Sequence, residues 1–307
     1  MKLSIVTTLY KSAPYIHEFC KRALSSALKV SEDTEIIFVN DGSPDNSLEI
    51  VLDLQKYNSQ IVVIDLSRNF GHHKAVMTGL KYSSGDYVFL IDVDLEENPE
   101  LLIEYFGVLE NNKDADVVHG MLMRRKGGWF ERLSGNLAYN IINYLSGEKM
   151  PVNYSFSRIM TRRYVKSLLE YTERELYIGG LWYLAGYKQL SIPIVKEHKG
   201  STTYSLEKKI SLLVTSIVSF SAKPLYLIFL TGSIIFSISV VILFSLLFRK
   251  LFYNYVFQGW TSIMVSLWFL GGLIILFIGI IGIYLSKVYS ESKNRPYTTI
   301  RHIYKNE

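Results

Sequence analysis

Two stretches near the carboxyl end constrain this chain more than any other feature. From Leu225 to Phe248, LYLIFLTGSIIFSISVVILFSLLF, no residue is charged, and the same holds from Leu251 through Ser286, densest at Ile263 to Leu285. A helix needs about 20 residues to cross the roughly 30 Å hydrocarbon core of a bilayer, so each stretch is long enough. The competing reading, a buried core helix, fits poorly because such helices are seldom so long or apolar on every face. The expectation is a transmembrane hairpin over residues 225–286, with helices at 225–248 and 263–285.

Flanking charge sets a direction. Lys208, Lys209 and Lys223 precede the first stretch and Lys287, Lys293, Arg295, Arg301 and Lys305 follow the second, against Arg249 and Lys250 between them. The positive-inside rule then predicts a multi-pass protein of the inner (plasma) membrane with both termini in the cytoplasm. Phe252, Tyr253, Tyr255, Phe257 and Trp260 suit the far interface. The opening MKLSIVTTLYK has too short an apolar run for a signal peptide. The formal charge of +5 and pI near 9.0 gather beside the apolar stretches, which reads as a collar for anionic headgroups rather than a nucleic-acid surface. A single cysteine, Cys20, excludes an internal disulfide and suits a reducing compartment, where it reads as a small buried hydrophobe.

The first 120 residues alternate strand and helix patterns: KLSIVTTLY, then YIHEFCKRALSSALK; EIIFVNDGS, then SLEIVLDLQKY; IVVIDLS, then HHKAVMTGLKYSS; YVFLIDVD, then NPELLIEYFGVLENN with Asn98 as cap and Pro99 at the first helical position. DVVHGML resumes a strand. Such alternation predicts an α/β domain, a mostly parallel sheet with helices on both faces. Ligands of that architecture sit beyond the carboxyl ends of the strands. Acidic residues stand at two such ends: Asp41, before the turn of Gly42, Ser43 and Pro44, and the cluster Asp92, Asp94, Glu96 and Glu97. Asp45, Asn46 and Ser47 read as an Asx-type turn capping the next helix. Three carboxylates at neighbouring strand ends repel unless a cation or donors offset them. Asp92-Val93-Asp94 is a D-x-D element, able to hold Mg²⁺ whose other positions go to water and phosphate oxygens.

In their order, SIVTTLY, FVNDGSPDNS, LSRNFGHHKAVMTGL, IDVDLEENPE, GSTTYS and SFSAKPL resemble family 2 glycosyltransferases of the GT-A fold, specifically the polyprenyl-phosphate glycosyltransferases similar to dolichyl-phosphate mannose synthase and the bactoprenol glucosyltransferases. The resemblance implies a cytoplasmic GT-A domain over 1–205, a juxtamembrane segment at 206–224, the hairpin, and a basic tail at 287–307. It implies that Asp41 engages the base or ribose of the nucleotide, with the turn from Thr7 to Tyr10 and Ser43 lining the pocket. Arg68, Asn69 and Lys74 of the RNFG segment border the donor. Asp92 and Asp94 hold Mg²⁺ or Mn²⁺ on the diphosphate, and Glu96 is either a third ligand or, with Glu97, charge that complements a helix dipole. Zinc on His72 and His73 fits poorly, since adjacent helical residues diverge and no cysteine is near. The acceptor phosphate falls to Arg132 and Arg158, with Arg124, Arg125 and Lys126 as further cations, because guanidinium suits phosphate.

Two departures stand out. Relatives that read GDFR carry an acidic residue where this chain has Phe156 in SFSR; in lacking it the chain more nearly resembles the aminoarabinose-phosphate-transferase-like members, which also lack that acid. The usual GESKY is GSTTY, placing Thr203 at the lysine position, with Lys199 nearby. A missing base does not stop the reaction, because a phosphate monoester with a second pKa near 6 is mostly dianionic at pH 7. Asp94, Arg158 and Arg132 are the residues expected to carry catalysis, with inversion at the anomeric carbon. The partners implied are a nucleotide sugar (a UDP-sugar foremost), polyprenyl phosphate, the bilayer and further copies of the chain. Tyr154, Glu173, Glu175 and Trp182 are candidate sugar neighbours, core packing being the stronger role for Trp182. Rival readings are a glycosyltransferase with another envelope acceptor, a catalytically impaired scaffold, and a processive synthase, whose Q-x-x-R-W element is absent.

Overall fold

The computed structural model describes residues 1–122, 154–173, 178–195, 223–253 and 259–305. The chain divides into two compact units, one of Met1–Gly135, Met150–Thr203 and Asn294–Glu307, the other of Asn136–Lys149 and Tyr204–Lys293. Arg124, Arg125, Lys126, Arg132, Glu175, Lys199, Thr203 and most of the juxtamembrane segment lie outside the described residues.

The first unit is built on β1 (Lys2–Leu9), β2 (Asp33–Asn40), β3 (Ile61–Leu66), β4 (Tyr87–Leu90), β5 (Val117–Leu122), β6 (Tyr154–Thr161), β7 (Gln189–Ile194) and β8 (Ile300–Tyr304). They form one eight-stranded sheet in the order β7-β5-β6-β4-β1-β2-β3-β8. β1 pairs in parallel with both β2 and β4, and β2 with β3. β6 runs antiparallel between β4 and β5, and β8 antiparallel on β3. The central strands are near-continuous apolar runs because both faces are covered. On one face α1 (Ile16–Leu28), α2 (Ser47–Tyr57) and α4 (Leu101–Asn111) bury Leu3, Ile5, Phe19, Phe38 and Tyr105. On the other, α3 (His72–Tyr82), α5 (Arg162–Leu169) and α6 (Ile178–Leu184) bury Val6, Ile37, Val39, Val76, Tyr164 and Trp182. The doubly covered α/β sheet is the architecture the alternation predicts.

Two boundaries differ from expectation. α4 opens at Leu101 rather than Pro99, with Glu100 at the cap position; the Asn98 side chain and both oxygens of Glu100 accept bonds from Arg22 (2.6–2.9 Å). The tail past the apolar stretches also returns to the sheet. β8 closes the β3 edge, and its Arg301 pairs with buried Asp65 instead of joining a basic collar.

In the second unit the apolar stretches are helical: α7 (Lys223–Tyr253) and α8 (Trp260–Ser292). Among the described residues one segment, Ser266–Ser292, is long and apolar enough to cross a membrane, and Lys223–Ile235 is apolar but shorter. Trp268 and Ile275 of α8 are exposed.

Candidate active site

Strand order reverses about β1: the chain moves from β1 outward through β2 and β3, then crosses back to β4 on the other side. That switch point opens a crevice at the carboxyl ends of β1 and β4, the place where open α/β sheets receive ligands. The Asp92 tip follows β4, and the amide of Ile91 bonds the carbonyl of Val6 (3.1 Å), holding the tip beside β1. On the other side, the amide of Asp41 bonds the carbonyl of Leu9 (3.0 Å). Both acidic tips therefore flank the end of β1.

The β4 tip keeps the period-two alternation of a strand after its pairing has ended. Ile91, Val93, Leu95 and Glu97 point inward, while Asp92, Asp94 and Glu96 are partly exposed. Leu95 adopts a left-handed φ of 60°, a strained choice for a branched side chain that bends the tip. Asp94 Oδ1 accepts the Glu96 amide at 2.9 Å, closing an Asx turn. The Glu97 carboxylate accepts the Ser157 amide at 2.9 Å and ties the tip to β6, a structural role in place of dipole complementation. Among the described residues no three His, Cys, Asp or Glu side chains converge in a metal-ligand arrangement, so Asp92, Asp94 and Glu96 do not form a ready three-carboxylate cage.

Asp41 is 3% exposed, and its two oxygens accept the amides of Phe70 (2.7 Å) and Gly71 (3.1 Å). Burial raises its pKa, while those amides and Arg68 oppose the rise. The side chain thus latches the Ser67–Gly71 loop from beneath. Next to it, Gly42 has φ +60°, and a Cβ there would lie 2.5 Å from the Arg68 carbonyl carbon and the Asn69 nitrogen. Glycine is required twice over, for the left-handed turn and for the close approach. Ser43 Oγ ties its turn to the end of β1, accepting the Lys11 amide (2.7 Å) and donating to Asp45 (2.6 Å). Asp45 also takes the Ser47 hydroxyl and the Ala13 amide, which holds its pKa down at about 2 against a desolvation penalty. The Asx-turn reading of Asp45 holds, with the cap position at Asn46 lacking a side-chain bond.

Above the latch, Arg68 and Asn69 are exposed, and Arg68 lies over the Phe70 ring at 4.1 Å. Lys74 stands in the first turn of α3. Tyr10 is 49% exposed, but Thr7 is fully buried with no partner for its hydroxyl among the described residues. Strand alternation places Thr8, not Thr7, on the crevice side. Its hydroxyl is 3.1 Å from His72 Nδ1, and His72 Nε2 is 3.7 Å from Asp92 Oδ1. Desolvation and then His73 lower the His72 pKa, so the ring is neutral at pH 7. His72 also packs on the Phe156 ring (4.7 Å). Phe156 continues to Trp182 at 5.7 Å. The sequence places Thr8 only within the Thr7–Tyr10 turn and offers His72 only as a poor zinc ligand; it does not single out the line Thr8–His72–Asp92.

Arg158 departs from its expected role. It is 1% exposed, with its guanidinium over the Trp182 ring (2.9 Å) and bonds to the carbonyls of Ser155 (3.1 Å) and Phe156 (3.3 Å). Burial lowers its pKa to about 10. A group so enclosed holds the β6 end and does not present a fork to a lipid phosphate. Trp182, 2% exposed, is core as expected, and Tyr154 packs edge-on against it.

The family model Glycosyl transferase family 2 matches residues 4–169, which contain every tip and loop above. A Mycobacterium tuberculosis protein bearing a glycosyltransferase name is 47% identical over 304 residues, 99% of this chain and 89% of that one. The bactoprenol glucosyl transferase of Shigella phage SfV is 31% identical over 317 positions, 100% of this chain and 99% of that one. Among solved structures, glucosyl-3-phosphoglycerate synthase from Mycobacterium tuberculosis superposes with a TM-score of 0.49 at 20% identity, over 72% of this chain and 80% of that one.

Proposed function

Because this chain belongs to glycosyl transferase family 2, we propose that it moves a sugar from a nucleotide donor, a UDP-sugar foremost, to a polyprenyl phosphate such as undecaprenyl phosphate. The reaction faces the cytoplasm, with α7 and α8 both spanning the bilayer. One observation carries the reading: the Asp92–Asp94 tip and the Asp41 latch that holds the Ser67–Gly71 loop flank the end of β1 at the switch point of the sheet, where open α/β sheets receive nucleotides. The full-length similarity to a bactoprenol glucosyl transferase supports the acceptor class.

Asp92 and Asp94 are hard oxygen donors, partly exposed, without a third carboxylate closing a cage. That sparse set fits Mg²⁺ or Mn²⁺, which keep waters and take phosphate oxygens. When bound, the ion supplies charge stabilisation to the departing diphosphate. The remaining work is the chain's own. Neutral His72 stands between Thr8 and Asp92, 3.1 Å from the Thr8 hydroxyl and 3.7 Å from the Asp92 carboxylate, and lines that side of the tip. The Asp41 latch fixes the loop that borders the donor. Phe156 keeps that wall apolar, and no base is needed for a dianionic acceptor. In-line attack inverts the anomeric carbon. With Arg158 enclosed, the acceptor phosphate falls to the cations of residues 124–132.

The test is transfer from a panel of radiolabelled nucleotide sugars to undecaprenyl phosphate in membranes, with Mg²⁺, Mn²⁺ or chelator. A chelator-sensitive, organic-extractable product is expected. Metal-dependent nucleotide binding with no lipid product from any donor would refute the acceptor assignment.

A further inference from the structure

We propose that β8 is a strap that positions the donor loop, with Arg301 as its positioning residue. The inference rests on the reading that Ser67–Gly71 borders the nucleotide. β8 pairs with β3 out to Val63, but the register shifts at Asp65 and Leu66: Asp65 faces His302 and Leu66 faces Ile300. Arg301 is the extra residue of that bulge. Bulges re-aim side chains, and this one delivers the guanidinium to the loop's root. Its Nη2 donates to the Ser67 carbonyl at 2.8 Å and its Nη1 reaches Asp65 Oδ2 at 3.3 Å. The Ser67 amide donates to the Thr299 carbonyl at 2.9 Å. Both backbone groups of Ser67, the residue immediately before the RNFG segment, are therefore held by residues 299–301.

The strap continues into the opposite acidic tip. Asp65 is 1% exposed, and its Oδ1 accepts the Asn40 side-chain amide at 2.7 Å. Asn40 in turn accepts the Ser43 amide at 3.2 Å, within the turn whose Asp41 holds Phe70 and Gly71. The loop is fixed at its start by Arg301 and at its end by Asp41, and buried Asp65 joins the two anchors. A third tie sets the helix that follows: the hydroxyls of Thr298 and Thr78 on α3 are 2.8 Å apart. A buried carboxylate bridged by one guanidinium to a backbone carbonyl is directional, which lysine cannot reproduce with a single ammonium.

The far end of the same strand offers a control. Gln55 donates to the carbonyl of Tyr304 at 2.8 Å, anchoring β8 away from the loop. The experiment measures Kd for UDP and GDP with Mg²⁺ by calorimetry, and Tm, on the full-length detergent-solubilised protein. Arg301→Ala is expected to weaken nucleotide binding at least tenfold, Arg301→Lys to recover part of it, and Gln55→Leu to lower Tm with Kd within twofold of wild type. In transfer assays Arg301→Ala raises the donor KM and leaves the acceptor KM unchanged. Arg301→Ala with Kd within twofold of wild type, or Gln55→Leu losing affinity as much as Arg301→Ala, would overturn the strap. A wild-type protein that binds neither nucleotide would remove the donor reading and the strap with it.

Discussion

Replacing Gly42 with alanine adds one methyl group, and its consequence follows from three close approaches. The new Cβ would lie 2.5 Å from Arg68 C and Asn69 N and 3.0 Å from Arg68 Cα, all backbone atoms that no side-chain rotation relieves. A left-handed alanine costs about 1–2 kcal/mol. To regain ordinary contact the loop must retreat by roughly 1 Å, judged from the van der Waals separation of carbon atoms. That retreat stretches the Phe70 and Gly71 bonds to Asp41, now 2.7 and 3.1 Å. Losing one hydrogen bond to a charged group costs about 1.5–3 kcal/mol. The sum is about 2.5–5 kcal/mol, a large share of the stability of a typical domain. Gly71→Ala is the matched comparison: φ is +100°, but no atom lies within 4 Å of the added Cβ. It carries strain without collision, so it is expected to cost less. The assay is thermal unfolding of both variants beside Mg²⁺-UDP binding. Gly42→Ala should melt well below Gly71→Ala and bind nucleotide at least tenfold more weakly than wild type. Equal melting temperatures for the two variants would refute the claim that the turn and loop are in backbone contact.

Three other outcomes follow from the same contacts. Asp94→Asn keeps an oxygen for the Glu96 amide, so Tm stays near wild type while turnover falls on the order of 10²-fold or more through lost charge; unchanged turnover would remove Asp94 from the chemistry. Arg158→Ala opens a cavity over Trp182 and is expected to destabilise by about 3 kcal/mol with the acceptor KM unchanged; a tenfold rise in that KM at constant Tm would return Arg158 to the phosphate. Asp45, whose pKa is lowered to about 2, contributes stability that is complete above its ordinary value of 3.8 and is lost as pH falls from there toward 2. Because the group is partly exposed, the contribution is discounted to about 1 kcal/mol. Asp45→Asn should flatten acid unfolding in that window, and an unchanged acid-unfolding curve would contradict the assignment.

The sheet was legible in the sequence because a strand buried on both faces must be an apolar run, and a strand-helix alternation admits few topologies. The acidic tips were legible for the same reason, since a carboxylate that ends such a run sits at a mouth. Direction was harder. Asp41 reads as exposed in a Gly-Ser-Pro turn, yet the Phe70 and Gly71 amides turn it inward, a contact between residues 29 and 30 positions apart. Thr7 and Thr8 are chemically alike, and only the strand's phase separates core from crevice. Arg158 reads as a free cation because its burial depends on Trp182, which reaches it from α6. β8 left no periodic signal, being five residues whose burial pattern does not alternate.

The position of β8 in the chain has a consequence for how the protein is made. Arg301 and Asp65 are 236 residues apart, and at about 5–20 residues per second a ribosome needs roughly 10–50 s to cover that interval. During that time the outer edge of β3 is unpaired, and an unpaired apolar edge is a template for association with other chains. Both long helices must be synthesised before the strand that covers the edge exists. A nascent chain stalled before residue 300 would thus carry the loop without its strap and the sheet with an open side.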